Sequence, residues 1–257
     1  MGKMRTRILR TAIYSALISA AVVIYKRRRL ERVVSPEGLD DPDVARGFER
    51  ISHLPHMAVL RWLLARRIMK YRKEGTVLDI GCGPGLMAVG LAGMAPGLTV
   101  IGIDLSEDLL DSGSQLACEK QVSDRVTFKL GDAANIPFED GSLDMVVSTL
   151  SMHHWQDPSM VFNEVSRVLR DGGSFLVFDL RRDMIAPAYL LIWFATHVVV
   201  PKGLKKAREP LGSRNAAYTP YEAAELLTRS ELVGWKVSSG PFWLLIEGKK
   251  ETLDASS

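Results

Sequence analysis

Two stretches of this 257-residue chain hold residues whose types and spacing suit chemistry. In Val77-Leu78-Asp79-Ile80-Gly81-Cys82-Gly83-Pro84-Gly85, a short apolar run ends in an acid and three glycines follow at alternate positions. Such a turn brings main-chain N–H groups and a carboxylate against a polar ligand, because glycine tolerates positive φ and has no Cβ to block the approach. The second stretch, Ser148-Thr149-Leu150-Ser151-Met152-His153-His154-Trp155, contains two histidines, the side chain best suited to take a proton near neutral pH. Adjacent residues point in different directions on helix or strand, so only one of them can serve as a base. No Cys, His or carboxylate set has metal-ligand spacing.

These residues need elements to hold them. The run Leu98–Ile103 ends in Asp104, 23 residues after Gly81, where an acid at the end of the next strand can accept from both ribose hydroxyls of a nucleoside. The glycine spacing is Gly-x-Gly-x-Gly, not the Gly-x-Gly-x-x-Gly of the dinucleotide fingerprint. Apolar runs predict strands near 76–80, 99–103, 125–130, 143–148 and 174–179. Helical patterns fall between them, one over 85–94 and one starting near Ser106, with Glu107 and Asp108 in its first turn. Strands alternating with helices predict a parallel sheet covered on both faces, with a ligand at the strand carboxyl ends. Thr219-Pro220-Tyr221-Glu222 is a capping box that opens a helix running to Ser230. Val233–Ser238 and Phe242–Glu247, joined through Gly240-Pro241, form an antiparallel pair. Upstream, Val44–Tyr71 has helical periodicity, with Phe48, Ile51, Leu60, Leu63, Leu64 and Ile68 expected inside and His53 and His56 at helix ends or the surface, a role toward substrate being the alternative.

From the glycine turn, Asp104, Gly131-Asp132-Ala133 and Leu169-Arg170-Asp171-Gly172-Gly173, the chain resembles the class I S-adenosylmethionine (SAM)-dependent methyltransferases. The likeness is to the small-molecule group that includes quinone-biosynthesis enzymes, and it covers residues 45–247. It implies an α/β fold: a doubly wound, mostly parallel seven-stranded sheet with an antiparallel C-terminal strand. It also implies SAM as methyl donor. Gly81, Gly83 and Gly85 would then lie along the methionine portion and ribose. Asp79 would hold that loop or reach the amino group through water. Asp104 would bind the ribose, Leu105 would lie against the adenine, and Asp132 would accept from the adenine amino group beside Ala133. Ser148 counts with the cofactor-binding set, and the segment after it borders the departing methyl group. There His153 or His154 is the candidate base toward a phenol or enol, although paired histidines at this position also occur without catalytic duty. Methyl transfer demands little of side chains, so a catalytically silent SAM-binding protein tethered to a membrane is an alternative. The glycine spacing counts against a nucleotide-dependent oxidoreductase.

Charge is unevenly placed. Residues 1–32 hold nine Lys and Arg against the single acid Glu31, leaving −5 for the rest of a chain whose net charge is +3. The positive balance belongs to the tail and gives no reason to expect nucleic-acid binding. Thr11–Tyr25 is uncharged and bounded by Arg10 and Lys26. As a helix it extends about 22 Å, short of a ~30 Å hydrocarbon core unless the flanking cations snorkel. Residues 8–29 are therefore a candidate membrane anchor, spanning or interfacial, with the domain on the side that holds SAM. The lack of acids before Glu31 also fits a mitochondrial presequence. The expected layout is the anchor over 1–32, a linker over 33–44 and a methyltransferase domain over 45–257. The acceptor is expected to be small and lipophilic, lipid-like or quinone-like. Residues 184–206 are apolar and then basic, which suits either a buried helix or lid over the acceptor site or a second membrane-contacting surface.

Overall fold

The computed structural model describes residues 31–33, 42–200 and 209–251. The expected anchor, most of the linker and the basic end of the 184–206 stretch lie outside the described residues. Among those described, no helix is long and apolar enough to cross a membrane.

Two helices, α1 (Pro42–Ser52) and α2 (Pro55–Tyr71), precede the sheet. The single helical stretch expected from periodicity breaks at His53–Leu54, because Pro55 favours an extended residue before it and starts a new helix. Then come β1 (Glu74–Ile80), α3 (Leu86–Met94), β2 (Gly97–Asp104), α4 (Glu107–Glu119), β3 (Val126–Leu130) and β4 (Leu143–Thr149). A 3₁₀ turn (Met152–His154) leads to α5 (Pro158–Val168), β5 (Leu169–Leu180) and α6 (Ala186–Phe194), which runs into a π turn (Ala195–Val199). The chain closes with α7 (Leu211–Ala216), α8 (Pro220–Thr228), β6 (Trp235–Ser239) and β7 (Trp243–Lys249).

The seven strands lie in the order β3-β2-β1-β4-β5-β7-β6. All neighbours pair in parallel except β7, which runs antiparallel to both β5 and β6. This is the doubly wound sheet with a reversed C-terminal strand that the sequence predicts. The winding changes direction between β1 and β4, and a crevice opens there at the carboxyl ends of the strands.

The two faces explain the strand sequences. Leu78, Ile80 and Val146 point into one apolar layer with α5 and α8, and Val77, Met145 and Val147 into another with α2 and α3. A strand covered on both sides reads as a continuous apolar run, and each buried aliphatic side chain contributes about 1.5–3 kcal/mol. On α2 the buried stripe is Leu64, Ala65 and Ile68, whereas Leu63 is exposed. At 100° per residue Leu63 lies off that stripe, which corrects its expected burial. Strand β5 begins five residues before the expected start, with a register shift at Leu143/Met145 where the glycine pair lets it bulge. Thr219 and Glu222 form the expected capping box. Ser106 stands at the expected helix start, but its side chain makes no capping bond.

Candidate active site

The glycine turn is held from below. The N–H groups of Gly81 and Cys82 both donate to Ile103 O, at 2.9 and 3.1 Å. The N–H of Gly83 donates to Oδ2 of Asp104 at 2.8 Å, and the N–H of Ser106 donates to Oδ1 at 3.1 Å. Asp104 thus ties the turn after β1 to the turn after β2, and each oxygen keeps a second lone pair for a ligand. Gly81 has φ +64°, and a Cβ there would fall 2.0 Å from Oγ of Ser151. Gly83 also has positive φ, yet a Cβ there would meet nothing within 4 Å. Its open side faces a cavity of about 520 Å³, a size suited to a drug-sized ligand.

Gly81, Gly83, Asp104, Leu105, Asp132 and Ala133 line one part of that cavity, at the ends of β1, β2 and β3. Leu105 is 63% exposed on the wall, an apolar surface suited to a flat ring. Asp132 accepts from the N–H of Ala134 at 2.9 Å and so also shapes its own loop. His153 and His154 line the part above β4, with Met57 and Leu60 of α2 and Ile192 of α6 contributing apolar wall.

Asp79, Gly85 and Ser148 stand behind the wall. Ser148 is buried and donates to Ile80 O at 2.9 Å, joining β4 to β1. Gly85 has φ +70°, and its Cβ position is filled by the ring of Phe128. Asp79 is fully buried and neither carboxylate oxygen has a hydrogen-bond partner among the described residues. Burial, and then the nearby Asp104, push its pKa up to about 8.

His153 is set apart from its neighbour by Asp179, at the end of β5. Nδ1 of His153 lies 2.8 Å from Oδ1 of Asp179, and the His153 main-chain N–H donates to Oδ2 at 2.8 Å. The N–H of Leu180 also reaches Oδ1, at 2.6 Å. With Nδ1 carrying the proton toward the carboxylate, Nε2 presents a lone pair. That atom is buried and has no partner among the described residues. Burial lowers the His153 pKa, but the Asp179 charge and hydrogen bond outweigh it and the net shift is upward. His154, its ring centroid 4.1 Å away, is pushed down to about 3 by burial and then by His153. It is a poor base at neutral pH.

The loop carrying these histidines is tightly tied. Leu150 has φ +58°, rare for a side chain of its size, and its N–H donates to Phe178 O at 2.7 Å. Trp155 is buried, packs edge-on to Phe162, and donates from Nε1 to Oγ of Ser151 at 3.2 Å. Arg32, just ahead of the domain, donates to Ala216 O at 2.7 Å and to His153 O at 3.3 Å, with its guanidinium over the Tyr218 ring.

Sequence patterns alone do not single out Asp179, Leu150 or Arg32. For Asp179 a signal exists, since Val177-Phe178-Asp179 repeats the apolar strand ending in an acid seen at Asp79 and Asp104.

The sheet is Rossmann-like, and the cavity lies at its topological switch point. The family described as Methyltransferase domain matches residues 78–177. A 27-O-demethylrifamycin SV methyltransferase of Amycolatopsis mediterranei is 37% identical over 112 residues, covering 44% of this chain and 41% of that protein. The chain therefore aligns with well under two thirds of that relative's length. A demethylmenaquinone methyltransferase of Porphyromonas gingivalis is 27% identical over 201 residues, covering 77% of this chain and 81% of the other. Among solved structures, phosphoethanolamine N-methyltransferase 2 of Haemonchus contortus, in complex with S-adenosyl-L-methionine, superposes with a TM-score of 0.64 at 18% identity. That superposition covers 86% of this chain and 60% of the other and speaks to the fold. Residues 78–177 thus match the methyltransferase-domain family, and the chain is similar to class I SAM-dependent methyltransferases.

Three local features fit SAM itself: the open Gly83 turn beneath a clamped carboxylate, the exposed Leu105 beside it, and the unpartnered buried carboxylate of Asp79 behind the turn. A cationic ligand group near that turn, direct or through water, would offset the cost of burying a charge at Asp79.

Proposed function

We propose that this chain transfers a methyl group from SAM to a small lipophilic acceptor, with His153 as the general base. When bound, SAM supplies a methyl group already activated on a sulfonium. The chain's own tasks are then to bind, orient, exclude water and move a proton. Asp104 holds the ribose hydroxyls, Leu105 and Ala133 flank the adenine, and Asp132 accepts from its amino group. Among the described residues the Asp79 side chain makes no bond to the turn, and its buried carboxylate behind it is left to meet the amino-acid end through water. Arg61 of α2, whose Nη1 donates to Ser52 O, also lines the cavity and would meet a ligand carboxylate.

The observation that carries the reading is the His153–Asp179 pair. A buried histidine oriented at Nδ1 by a carboxylate, with Nε2 left over, favours a proton-moving enzyme over a silent SAM-binding scaffold. Asp179 fixes the imidazole tautomer and stabilises the imidazolium that forms when Nε2 takes the acceptor's proton. His154 stays neutral beside it. A phenol, enol or similar acid gains nucleophilicity by losing that proton.

Lipophilicity of the acceptor is supported by the apolar wall of Met57, Leu60 and Ile192. Quinone-type relatives add to it, as does the proposed membrane anchor over residues 8–29, which would keep the domain on the SAM-containing side. The test uses methyl-labelled SAM, the full chain and a whole-cell extract, followed by organic–aqueous partition. Label in the organic phase supports the reading. Label confined to the aqueous phase removes the lipophilic acceptor, and SAM binding without any transfer removes the enzyme.

A further inference from the structure

Among the described residues, helix α6 and its π turn are held to the protein along one edge. Tyr189 packs with Met184 and Leu211, and Ile192 reaches the cavity. Thr196 turns inward, donating to Ile192 O at 2.9 Å and accepting from the N–H of Leu211 at 3.1 Å. The other side is apolar and open: Ile185, Leu190, Leu191, Trp193, Phe194 and Val198, with Leu191 69% exposed. The polar group there, His197, hydrogen-bonds Trp193 O through Nδ1 and stacks on the Trp193 ring. No Asp, Glu, Lys or Arg occurs between residues 184 and 200. A continuous apolar face of this kind marks an interaction site.

We propose that this face, residues 185–198, docks into the surface of a phospholipid bilayer that carries anionic headgroups. The nine-residue helix extends about 14 Å, too short to span the hydrocarbon core and suited to lying in the interface. Trp193 supplies the indole favoured at that depth. Exposed arginines stand beside the face. Helix α1, whose Phe48 and Ile51 pack on Val200, exposes Arg46 and Arg50 one turn apart. Lys202, Lys205, Lys206 and Arg208 follow in sequence. The placement of the N-terminal segment agrees. The N–H of Val33 donates to Asn215 O at 3.2 Å, so the basic, apolar chain before it joins the fold at α7, the helix packed beside α6. Docking stands independently of the acceptor proposed above, and would open the wall at Ile192 toward the lipid phase.

The test uses the full chain with Cys118→Ser, which removes the exposed thiol and leaves Cys82 buried. Leu191→Cys then takes a polarity-sensitive dye, and vesicles of equal parts phosphatidylcholine and phosphatidylglycerol are added. The expected result is a blue shift with a several-fold rise in emission, quenched by acyl-brominated lipid and much weaker with phosphatidylcholine alone. A dye that stays water-like while the protein sediments with the vesicles would overturn the proposal, because the N-terminal segment alone would then be holding the protein. Emission already blue before vesicles and unchanged by them would also overturn it, the face being covered by that segment or by a second copy. Leu191→Glu with Phe194→Glu should abolish the lipid response of a dye at residue 198 while leaving SAM affinity unchanged.

Discussion

The carboxylate of Asp179 grips His153 twice, through Nδ1 of the ring and through the main-chain N–H, each at 2.8 Å. Ring and backbone are therefore fixed together, and the imidazole is set by the end of β5 as well as by its own loop.

One consequence is a pH signature. The net shift of the His153 pKa is upward, and the base works only when neutral, so kcat/KM should rise with pH through a value above the ordinary histidine range and then level off. Stability runs the other way. The contribution of His153 to folding is fully present below its ordinary pKa and is lost as pH rises through the raised one. Asp179→Asn should move the acid limb of the rate profile to lower pH and reduce the plateau by about 10²–10⁴. A limb that does not move would exclude His153 as the titrating group.

Asp104 both clamps the turn and lines the cavity. Asp104→Ala should weaken SAM binding by roughly 1.5–3 kcal/mol, the worth of a charge-assisted hydrogen bond. Asp104→Asn, which keeps an acceptor for the N–H of Gly83, should lose less. Calorimetric titration with SAM distinguishes the two, and equal losses would mean that only the ligand contact counts.

Asp79 offers a stability test without ligand. Its folded pKa is about 8, whereas an unfolded chain ionises the group near pH 4. The unfolded state thus sheds the proton first, and the contribution of Asp79 to stability falls as pH rises through that window. Asp79→Asn should leave stability unchanged at pH 4 and raise it at pH 8, by on the order of 2–4 kcal/mol. Urea unfolding of the ligand-free protein at both values checks this, and parallel pH curves for the two proteins would contradict it.

Arg32 sets how far the N-terminus can be cut. Removal of residues 1–30 should leave SAM affinity and activity intact. Extending the cut through residue 33, or making Arg32→Ala, removes two hydrogen bonds to main-chain carbonyls and the cation over Tyr218. That should cost roughly 1–3 kcal/mol of stability. It should also raise the His153 pKa further, since the Arg32 charge opposes protonation there while Asp179 and Glu209 favour it. Thermal unfolding and the rate profile of the two truncations report both effects.

The sheet and its cofactor end are legible in the sequence because each strand there is a local pattern. An apolar run closes in an acid at Asp79 and again at Asp104, and strand order then places both at one crevice. The acceptor end depends on contacts between distant segments. His153 meets Asp179 because β4 and β5 are parallel neighbours, pairing Thr149 with Phe178, so that their carboxyl ends deliver the two residues to one place. Nothing near His153 in sequence points to that partner. Leu63 escapes a correct reading because an all-apolar Leu63-Leu64 pair does not reveal which side faces the sheet. Apolar content alone also does not tell a buried α6 from an exposed one.

The most direct test of His153 as the base compares the wild-type protein with His153→Ala, measuring SAM affinity and label transfer into organic-soluble product on the same samples. The expected result is equal SAM affinity, transfer by the wild type, and transfer lower by about 10²–10⁴ in the variant. A wild-type protein that binds SAM and transfers nothing, or a variant that transfers as well as the wild type, would contradict it.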